Sequence, residues 1–143
     1  KMIRKGDAVG YKKSLNFRDA VLEDLLNLFA NKGVIEVVKA HNKKANKIAL
    51  SNTLDIESDK LVNTIIKGDA RKLKDFSSVD GKIIKPLYLF LDSEVLLYAK
   101  LRKLRFRAEK IKKNKISLFI EDMEKNHPEI KRAIVNSYLE LYC

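Results

Sequence analysis

Three carboxylates alternate along one short stretch of the sequence, at Asp55, Glu57 and Asp59. Carboxylate oxygens are ligands that Mg²⁺ prefers in proteins. The same stretch also begins a predicted helix, and the positive end of the helix dipole favours negatively charged side chains there. Helix capping and a magnesium site are therefore the two interpretations of these residues, and capping is the simpler one.

Other residues that could do chemistry are scarce. The chain has two histidines, His41 and His127, and one cysteine, Cys143, which argues against a structural zinc site. His41 lies in a basic stretch and is predicted to be exposed, while His127 precedes Pro128 at a helix start. The five glycines stand alone, so neither common phosphate-binding glycine loop can form, and no GxSxG motif occurs. The sequence thus predicts no catalytic residue, no metal and no cofactor.

The positive charge of the chain, +11 in total, is concentrated in two segments. Residues 1–13 contain five basic residues and one acid, and residues 100–115 contain nine basic residues and one acid. Such a concentrated field attracts nucleic acid through counterion release. For residues 1–13 a solvated tail is an equal alternative. For residues 100–115, called the basic segment below, the mixture of Arg and Lys within a folded region favours RNA or DNA.

Length and composition predict one domain in a reducing compartment. No apolar run approaches the roughly 20 residues that a membrane helix needs, and no secretory signal follows the charged start. The single cysteine excludes an internal disulfide. We therefore predict a cytoplasmic protein without a membrane partner. It has a basic N-terminal segment over residues 1–13 and a single α/β domain over residues 14–143.

Apolar spacing predicts the elements that position these residues. Helical spacing predicts six helices, over residues 17–32, 34–45, 57–67, 93–103, 116–125 and from 128 onward. Asn16, with Asp19 three positions later, and Ser93 are the predicted caps. Short apolar runs at 48–50 and 83–84 predict buried strands of a parallel sheet, and residues 69–81 a loop. Two strands make a poor sheet, so more are expected upstream of Lys1 or in weaker signals.

Four motifs follow one another in an order that resembles the second half of the PP-loop tRNA thiolation proteins. They are the turn SNTLDI at 51–56, the triplet KGD at 67–69, the strand end IKPL at 84–87 and the helix SEVLLYA at 93–99. The family has a GHNLDD-like turn, an RGD-like triplet, an RIKPL-like strand and an EKEVALYA-like helix in the same order. The resemblance covers about residues 17–140.

The sequence departs from this family at its chemical groups. Residues 29–33 match the stretch in which catalytic members carry a CxxC pair, but they contain no cysteine. Asn52 replaces the turn histidine, Ile56 replaces the second aspartate, and no SGGxDS nucleotide loop occurs. The chain is thus similar to the degenerate cytoplasmic tRNA 2-thiolation protein 2 family. Two more stretches support this resemblance, LEDLL at 22–26 and FIEDMEKNHP at 119–128.

The resemblance implies the C-terminal part of a PP-loop domain, which is adenine nucleotide alpha hydrolase-like and Rossmann-like, with short parallel strands and closing C-terminal helices. It implies a non-catalytic RNA-binding subunit that supports 2-thiolation of the wobble uridine of cytoplasmic tRNAs, in a heterodimer with a catalytic PP-loop subunit. Ser51, Asn52 and Asp55 would form a degenerate nucleotide cleft. The predicted RNA contacts are Lys100, Arg102, Lys103, Arg105, Arg107, Lys110, Lys112, Lys113, Lys85 and Lys67.

Two other functions remain open at this point. One is a fragment of a catalytic PP-loop tRNA thiolase whose ATP-binding half lies outside this sequence. The other is a basic module that binds the ribosome or ribosomal RNA and reuses the fold without a role in thiolation.

Overall fold

A computed structural model describes residues 2–142, so Lys1 and the single cysteine, Cys143, lie outside the described residues. The strands are β1 Asp7–Tyr11, β2 Ile35–Lys39, β3 Lys47–Ala49, β4 Val79–Asp80 and β5 Ile83–Ile84. They form one sheet in the order β2-β1-β3-β5-β4, in which β4 alone runs antiparallel to its neighbour. The predicted α/β class with short parallel strands is confirmed.

The helices surround two buried apolar clusters. They are α1 Phe17–Asn31, α2 Leu54–Ile66, α3 Asp92–Leu101, α4 Lys115–Asn126 and α5 Ile130–Tyr142, with a 3-10 segment at Ala70–Phe76. In the first cluster α1 and α3 pack on the sheet, and Leu22 and Val95 are buried there. In the second, Leu61 of α2 packs with Tyr138 of α5. Within the described residues, no helix is long and apolar enough to cross a membrane.

The strand β1 is central in the sheet, although it lies in the predicted basic N-terminal segment of residues 1–13. Val9 is fully buried and is paired with Val37 of β2 on one side and Lys47 of β3 on the other. A run of five residues between lysines has a weak local signal, and its conformation depends on the strands beside it. The additional strands expected from the sequence are therefore found among its weaker signals.

The strand β2 and the loop after it occupy residues 34–45, where the sequence predicts a helix. Ile35 and Val38 have the spacing of a helix face, but four of the five residues from 34 to 38 are β-branched, which favours a strand. The following loop packs closely on β1. A Cβ atom on Gly10 would lie only 3.1 Å from the Cα of Ala40, so a larger residue here would require the loop to shift by a few tenths of an ångström.

Of the two predicted helix caps, one is confirmed and one is wrong. Asn16 caps α1 as predicted, because its side-chain oxygen accepts the backbone N–H of Arg18 at 2.9 Å. Ser93 does not cap α3, which begins one residue earlier. Instead the Glu94 carboxylate accepts the backbone N–H of Leu91 at 2.8 Å. Residues 69–81, predicted as a loop, contain the 3-10 segment and β4.

Candidate functional site

The strand order places a crevice at one edge of the sheet. From β1 the chain moves to β2 on one side of the sheet, and from β3 it moves to β5 on the other side. The order of connection therefore reverses between the neighbouring strands β1 and β3. In open α/β sheets, ligands bind outside the carboxyl ends of the strands at such a point. Residues 12–16, 50–53 and 85–91 leave these ends and lead into α1, α2 and α3. The N-terminal ends of three helices therefore meet at the crevice.

A cavity of about 570 Å³ lies at this crevice. Its walls come from the first turns of α1, α2 and α3, from α4 and α5, and from residues 109–113 of the basic segment. Its charged lining comprises Arg18, Lys110, Lys112, Lys113 and Lys131 with Asp55, Asp59, Asp92, Glu109, Glu121 and Glu124. Because these five cations and six acids nearly balance, the wall is a mixed polar surface rather than a simple anion site.

One ion pair joins the starts of α1 and α3 at the cavity. The guanidinium of Arg18 donates to both carboxylate oxygens of Asp92, at 2.7 and 2.5 Å. The buried hydroxyl of Thr53 donates to the same carboxylate at 2.7 Å. Burial alone would lower the pKa of Arg18, but the hydrogen bonds and charge of Asp92 outweigh burial and raise it. This pair therefore stays charged and holds the segment before α2 together with the two helix starts.

A second ion pair joins α2 to α5. The ammonium of Lys131 lies 2.5 Å from Asp55 and 3.3 Å from Glu124, and the lysine side chain is largely buried. Asp55 also accepts the backbone N–H of Asp92 at 2.7 Å. Burial opposes the charge on Lys131, but the two carboxylates outweigh it and raise the pKa of the lysine. The carboxylate of Asp55 is thus fully engaged within the protein.

Asp59 is the acid in this cavity whose charge the fold disfavours. Its carboxylate accepts the hydroxyl of Ser117 at 2.5 Å, which stabilises the ionised form. Burial is the largest effect and raises the pKa of Asp59, and the charges of Asp55 and Asp92 raise it further. The raised pKa means that the folded protein holds this proton more tightly than the unfolded chain does.

Asp59→Asn is expected to increase the free energy of unfolding at pH 7 and to have a smaller effect near pH 3.5. The contribution of Asp59 to the free energy of unfolding is fully present below the ordinary carboxyl pKa of 3.8. It is lost as the pH rises through the higher pKa that Asp59 has in the folded protein. Asparagine carries no charge and keeps an oxygen for Ser117. Urea unfolding at about pH 3.5 and pH 7 measures the difference. The exposed Asp75→Asn is the control for the removal of a surface carboxylate, and a loss of stability at pH 7 in Asp59→Asn would contradict the expectation.

The other acids of the alternating stretch also have partners within the protein. Glu57 is buried and pairs with Lys85 at 3.2 Å, so its charge is used within the protein. No group of three or more possible metal ligands occurs within residues 2–142. Asp55 and Glu57 lie in the first turn of α2, as the capping interpretation requires.

The residues of the predicted nucleotide cleft lie at the crevice, where side chains of the protein bind them. The hydroxyls of Ser51 and Ser14 both donate to Asp19, which connects the segment after β3 with the segment after β1. Asp19 therefore bridges two loops and does not complete the predicted capping pattern. The amide of Asn52 donates to Glu57 at 2.5 Å. Residues 12–16 contain no glycine, so the segments at this crevice do not fit the phosphates of a nucleotide.

The eight predicted RNA contacts of the basic segment are all exposed. Two of them have acidic partners: Arg102 pairs with Asp24 at 3.1 Å, and Lys113 pairs with Glu121 at 2.6 Å. The side chains of the other six form no ion pair within the described residues. Their role in RNA binding stays a prediction.

The two predicted RNA contacts outside the basic segment are placed where they cannot serve this cavity. Lys85 is 6% exposed and is held by Glu57, so it is unable to reach a phosphate. Lys67 is exposed at the C-terminal end of α2. A helix of 13 residues rises about 1.5 Å per residue, so Lys67 lies about 20 Å from the helix start at the cavity. Both predictions came from the family resemblance, which gave no account of the burial of Lys85 or of the direction of α2.

The basic segment runs from the end of α3 back along α1 to the cavity. Arg102 pairs with Asp24 in the middle of α1. Further along, the backbone N–H of Arg107 donates to the carbonyl of Leu15 at 2.8 Å, just before α1 begins. Residues 109–113 then line the cavity. Because Leu104 and Phe106 pack against the first apolar cluster, this irregular segment is attached to the fold at several points.

Residues 29–33, which the resemblance matches with a CxxC stretch, lie at the C-terminal end of α1. This helix has 15 residues, so the stretch lies about 20 Å from the helix start at the cavity. Iron–sulfur clusters are held by cysteine thiolates, and residues 2–142 contain no cysteine. The donor groups in the described part of the chain therefore do not fit such a cluster.

Sequence reasoning missed Arg18 and Lys131 as residues of this site. Both are cations in or near the first turn of a helix, where the helix dipole disfavours positive charge. Such a placement indicates that an acid lies close by, and the acids are Asp92 and Asp55. A cation at a predicted helix start is thus the signal that could have identified them.

Comparison with known proteins finds similarity among solved structures. No protein-family model matches the chain, and no curated protein sequence is significantly similar to it. Among solved structures, the chain is similar to the U34-tRNA thiolase NcsA from Methanococcus maripaludis, solved with its 4Fe–4S cluster. The TM-score is 0.76 at 18% sequence identity, and the match covers 99% of this chain and 73% of NcsA. At this identity the likeness establishes the fold.

The comparison confirms the predicted PP-loop fold and corrects one prediction. The match extends over nearly the whole chain, so β1 and β2 belong to the same fold as the motifs from which it was predicted. The prediction that the chain is not an enzyme is contradicted, because the solved structure that shares its fold is a thiolase. The absence of single sequence motifs was an insufficient basis for that prediction.

Proposed function

We propose that this chain binds tRNA and supports 2-thiolation of the wobble uridine, in a heterodimer with a second PP-loop subunit. The observation that carries the proposal is the position of the basic segment. Arg107, Lys110 and Lys112 are exposed beside a cavity in a fold shared with a U34-tRNA thiolase. Contacts from such side chains to phosphates position an RNA without reading its sequence.

The charges at the cavity support a division between its rim, which is formed by the exposed Arg107, Lys110 and Lys112 of the basic segment, and its wall, which is formed by the helices. The lining as a whole carries nearly equal numbers of both signs, and in the wall Arg18 and Lys131 are already paired with acids. The rim cations Lys110 and Lys112 have no ion pair within residues 2–142. Phosphates would therefore bind at the rim, while the polar wall faces a less charged group such as a base. Recognition of a particular tRNA would then come from its shape.

An exposed apolar row on α3 supports the proposed second subunit. Leu97 and Leu101 are four residues apart on α3 and are 56% and 74% exposed, and Phe90 before the helix is 50% exposed. Residues spaced in this way lie on one face of a helix. Exposed apolar patches on folded proteins often mark a surface that another protein covers.

Neutralising the rim is expected to weaken tRNA binding. In Arg107→Gln, Lys110→Gln and Lys112→Gln combined, the slope of log affinity against log salt should fall by about 2 to 3, because each lost phosphate contact removes roughly 0.7 to 0.9. Fluorescence anisotropy with a labelled tRNA transcript measures this. Arg102 is left intact, since its loss would also unpair Asp24.

The matched control neutralises three exposed lysines that form no ion pair within the described residues, Lys67, Lys74 and Lys82. Depletion of the protein from its cells should also lower the 2-thiouridine content at tRNA position 34, as measured by mass spectrometry. An unchanged content, or equal loss of binding in the control variant, would count against the proposal. Tighter binding to a ribosomal RNA fragment than to tRNA would favour the ribosomal alternative.

A further inference from the structure

A second group of unpaired cations begins at the same edge of the sheet, where β2 ends beside β1. Tyr11 at the end of β1 is paired in register with Lys39 at the end of β2. The chain then forms the β2–β3 loop, residues 40–46, which contains Lys43 and Lys44. Residues 37–54 contain four lysines and no acid. The loop is therefore a local concentration of positive charge that leaves the carboxyl edge at Lys39 and returns along β1 to Ala8.

Hydrogen bonds hold this loop in one shape. The backbone N–H of Asn42 donates to the carbonyl of Lys39 at 2.9 Å, and the Asn42 side chain accepts the N–H of Lys44 at 2.9 Å. Asn46 is bound to Ala8 of β1 in both directions, through its backbone N–H at 3.0 Å and its side-chain oxygen at 2.9 Å. A loop fixed at both ends loses little conformational freedom when its side chains bind a ligand.

Only some of the lysines in this region are free to bind. The ammonium of Lys47 donates to the carbonyl of Met2 at 2.6 Å and lies 3.6 Å from Asp7, so its charge is used within the protein. Lys43 and Lys44 are exposed and form no ion pair within residues 2–142, and the same holds for Lys39.

The segment after β1 connects this loop with the basic segment. Lys13 and Arg105 line one shared cavity of about 520 Å³, together with Leu15 and Leu104. Lys13 lies two residues beyond Tyr11, which is paired with Lys39. Lys13 pairs with Glu23 at 3.7 Å and Asp24 also lines this cavity, so the surface between the β2–β3 loop and the basic segment carries charges of both signs.

We propose that Lys39, Lys43 and Lys44 form a second phosphate-binding site, which holds another part of the RNA whose phosphates lie on the basic segment. The inference rests on the proposed function, because it requires that this edge of the sheet bind a structured RNA. The ligand is the RNA phosphate backbone, and the contacts carry no sequence information. Two phosphate sites separated by the end of β1 fix the orientation of a folded RNA, whereas one site would allow it to pivot.

The test neutralises the loop and leaves the rim of the cavity intact. For Lys39→Gln, Lys43→Gln and Lys44→Gln combined, the salt slope of tRNA binding should fall by about 2 to 3, at roughly 0.7 to 0.9 for each lost contact. The control is again the combined glutamine variant of Lys67, Lys74 and Lys82, which changes the net charge equally. Nuclease footprinting of the labelled tRNA should show that the loop variant loses protection at other nucleotides than the rim variant does.

The outcomes separate this inference from the proposed function. If the rim variant weakens binding and the loop variant matches the control, the second site is wrong and the proposed function stands. If the loop and control variants lose affinity equally, the loop contributes only net charge and the inference is overturned. If the unmodified protein does not bind tRNA, both fail together. Distinct lost footprints with a lowered slope would establish the second site.

Discussion

Replacing Lys85 by alanine is expected to lower the free energy of unfolding by about 3 to 5 kcal/mol, since it removes one member of a buried ion pair. The Lys85 ammonium lies 3.2 Å from Oε2 of Glu57, and the two side chains are 8% and 3% exposed. The other oxygen of Glu57 accepts the side-chain amide of Asn52. Without the lysine, an ionised carboxylate would remain in the interior with one neutral donor, which is the costly state. Equilibrium unfolding in urea measures the change.

Removing both charges provides the control for this substitution. Glu57→Gln with Lys85→Met should retain most of the stability, because no buried charge is left without a partner. The exposed Lys82→Ala should change the free energy of unfolding by less than about 0.5 kcal/mol. A wild-type unfolding midpoint in Lys85→Ala would refute the expectation. The double variant should also bind labelled tRNA with wild-type salt dependence, as befits a lysine that is buried rather than in contact with RNA.

The role of Lys85 shows what could not be read from local sequence. Its IKPL motif correctly places the end of β5, because a short apolar run before a proline has few alternatives. The partner of Lys85 lies 28 positions earlier, on a different element. Sequence spacing therefore located the residue in the fold but could not show that it is buried.

The strands differ in how much of their signal is local. β3 and β5 stand out as apolar runs, whereas β1 lies among lysines and contains Gly10. Its burial follows from parallel neighbours on both sides, one of which comes 28 residues later in sequence, as in the pairing of Asp7 with Ile35. The helical spacing of Ile35 and Val38 predicts a helix over β2, although in the strand these two residues lie on opposite faces. Pairing between strands decided these elements, and pairing is not a property of one segment.

The candidate site also has one part that local sequence identifies and one part that depends on contacts between distant residues. The basic segment was identifiable from composition, since nine cations in 16 residues leave few apolar side chains to bury. The two ion pairs in the cavity join residues that are 74 and 76 positions apart, Arg18 with Asp92 and Lys131 with Asp55. Only the fold brings these helix starts together, so the polar wall of the cavity could not be predicted while its basic rim could.

Asp92→Ala is expected to lower the free energy of unfolding by about 3 kcal/mol, because it leaves three donors without their acceptor, two of them on a guanidinium. The donors are two N–H groups of Arg18 and the hydroxyl of Thr53, which is completely buried. Water can reach Arg18 in part, since its side chain is 15% exposed, but it cannot reach the threonine. Urea unfolding at neutral pH measures the loss, and the exposed Asp80→Ala serves as its control.

Asp92→Asn distinguishes the charge of this residue from its hydrogen bonds. An asparagine oxygen can still accept from Nε of Arg18 and from Thr53, whereas its amide group would face the second N–H donor of the guanidinium. We therefore expect a loss of stability between that of Asp80→Ala and that of Asp92→Ala. The backbone N–H of Asp92 continues to donate to Asp55 in every variant, so the start of α3 keeps one attachment to α2. If Asp92→Ala were as stable as Asp80→Ala, the ion pair would not hold the three helix starts together, and the wall of the cavity would need another explanation.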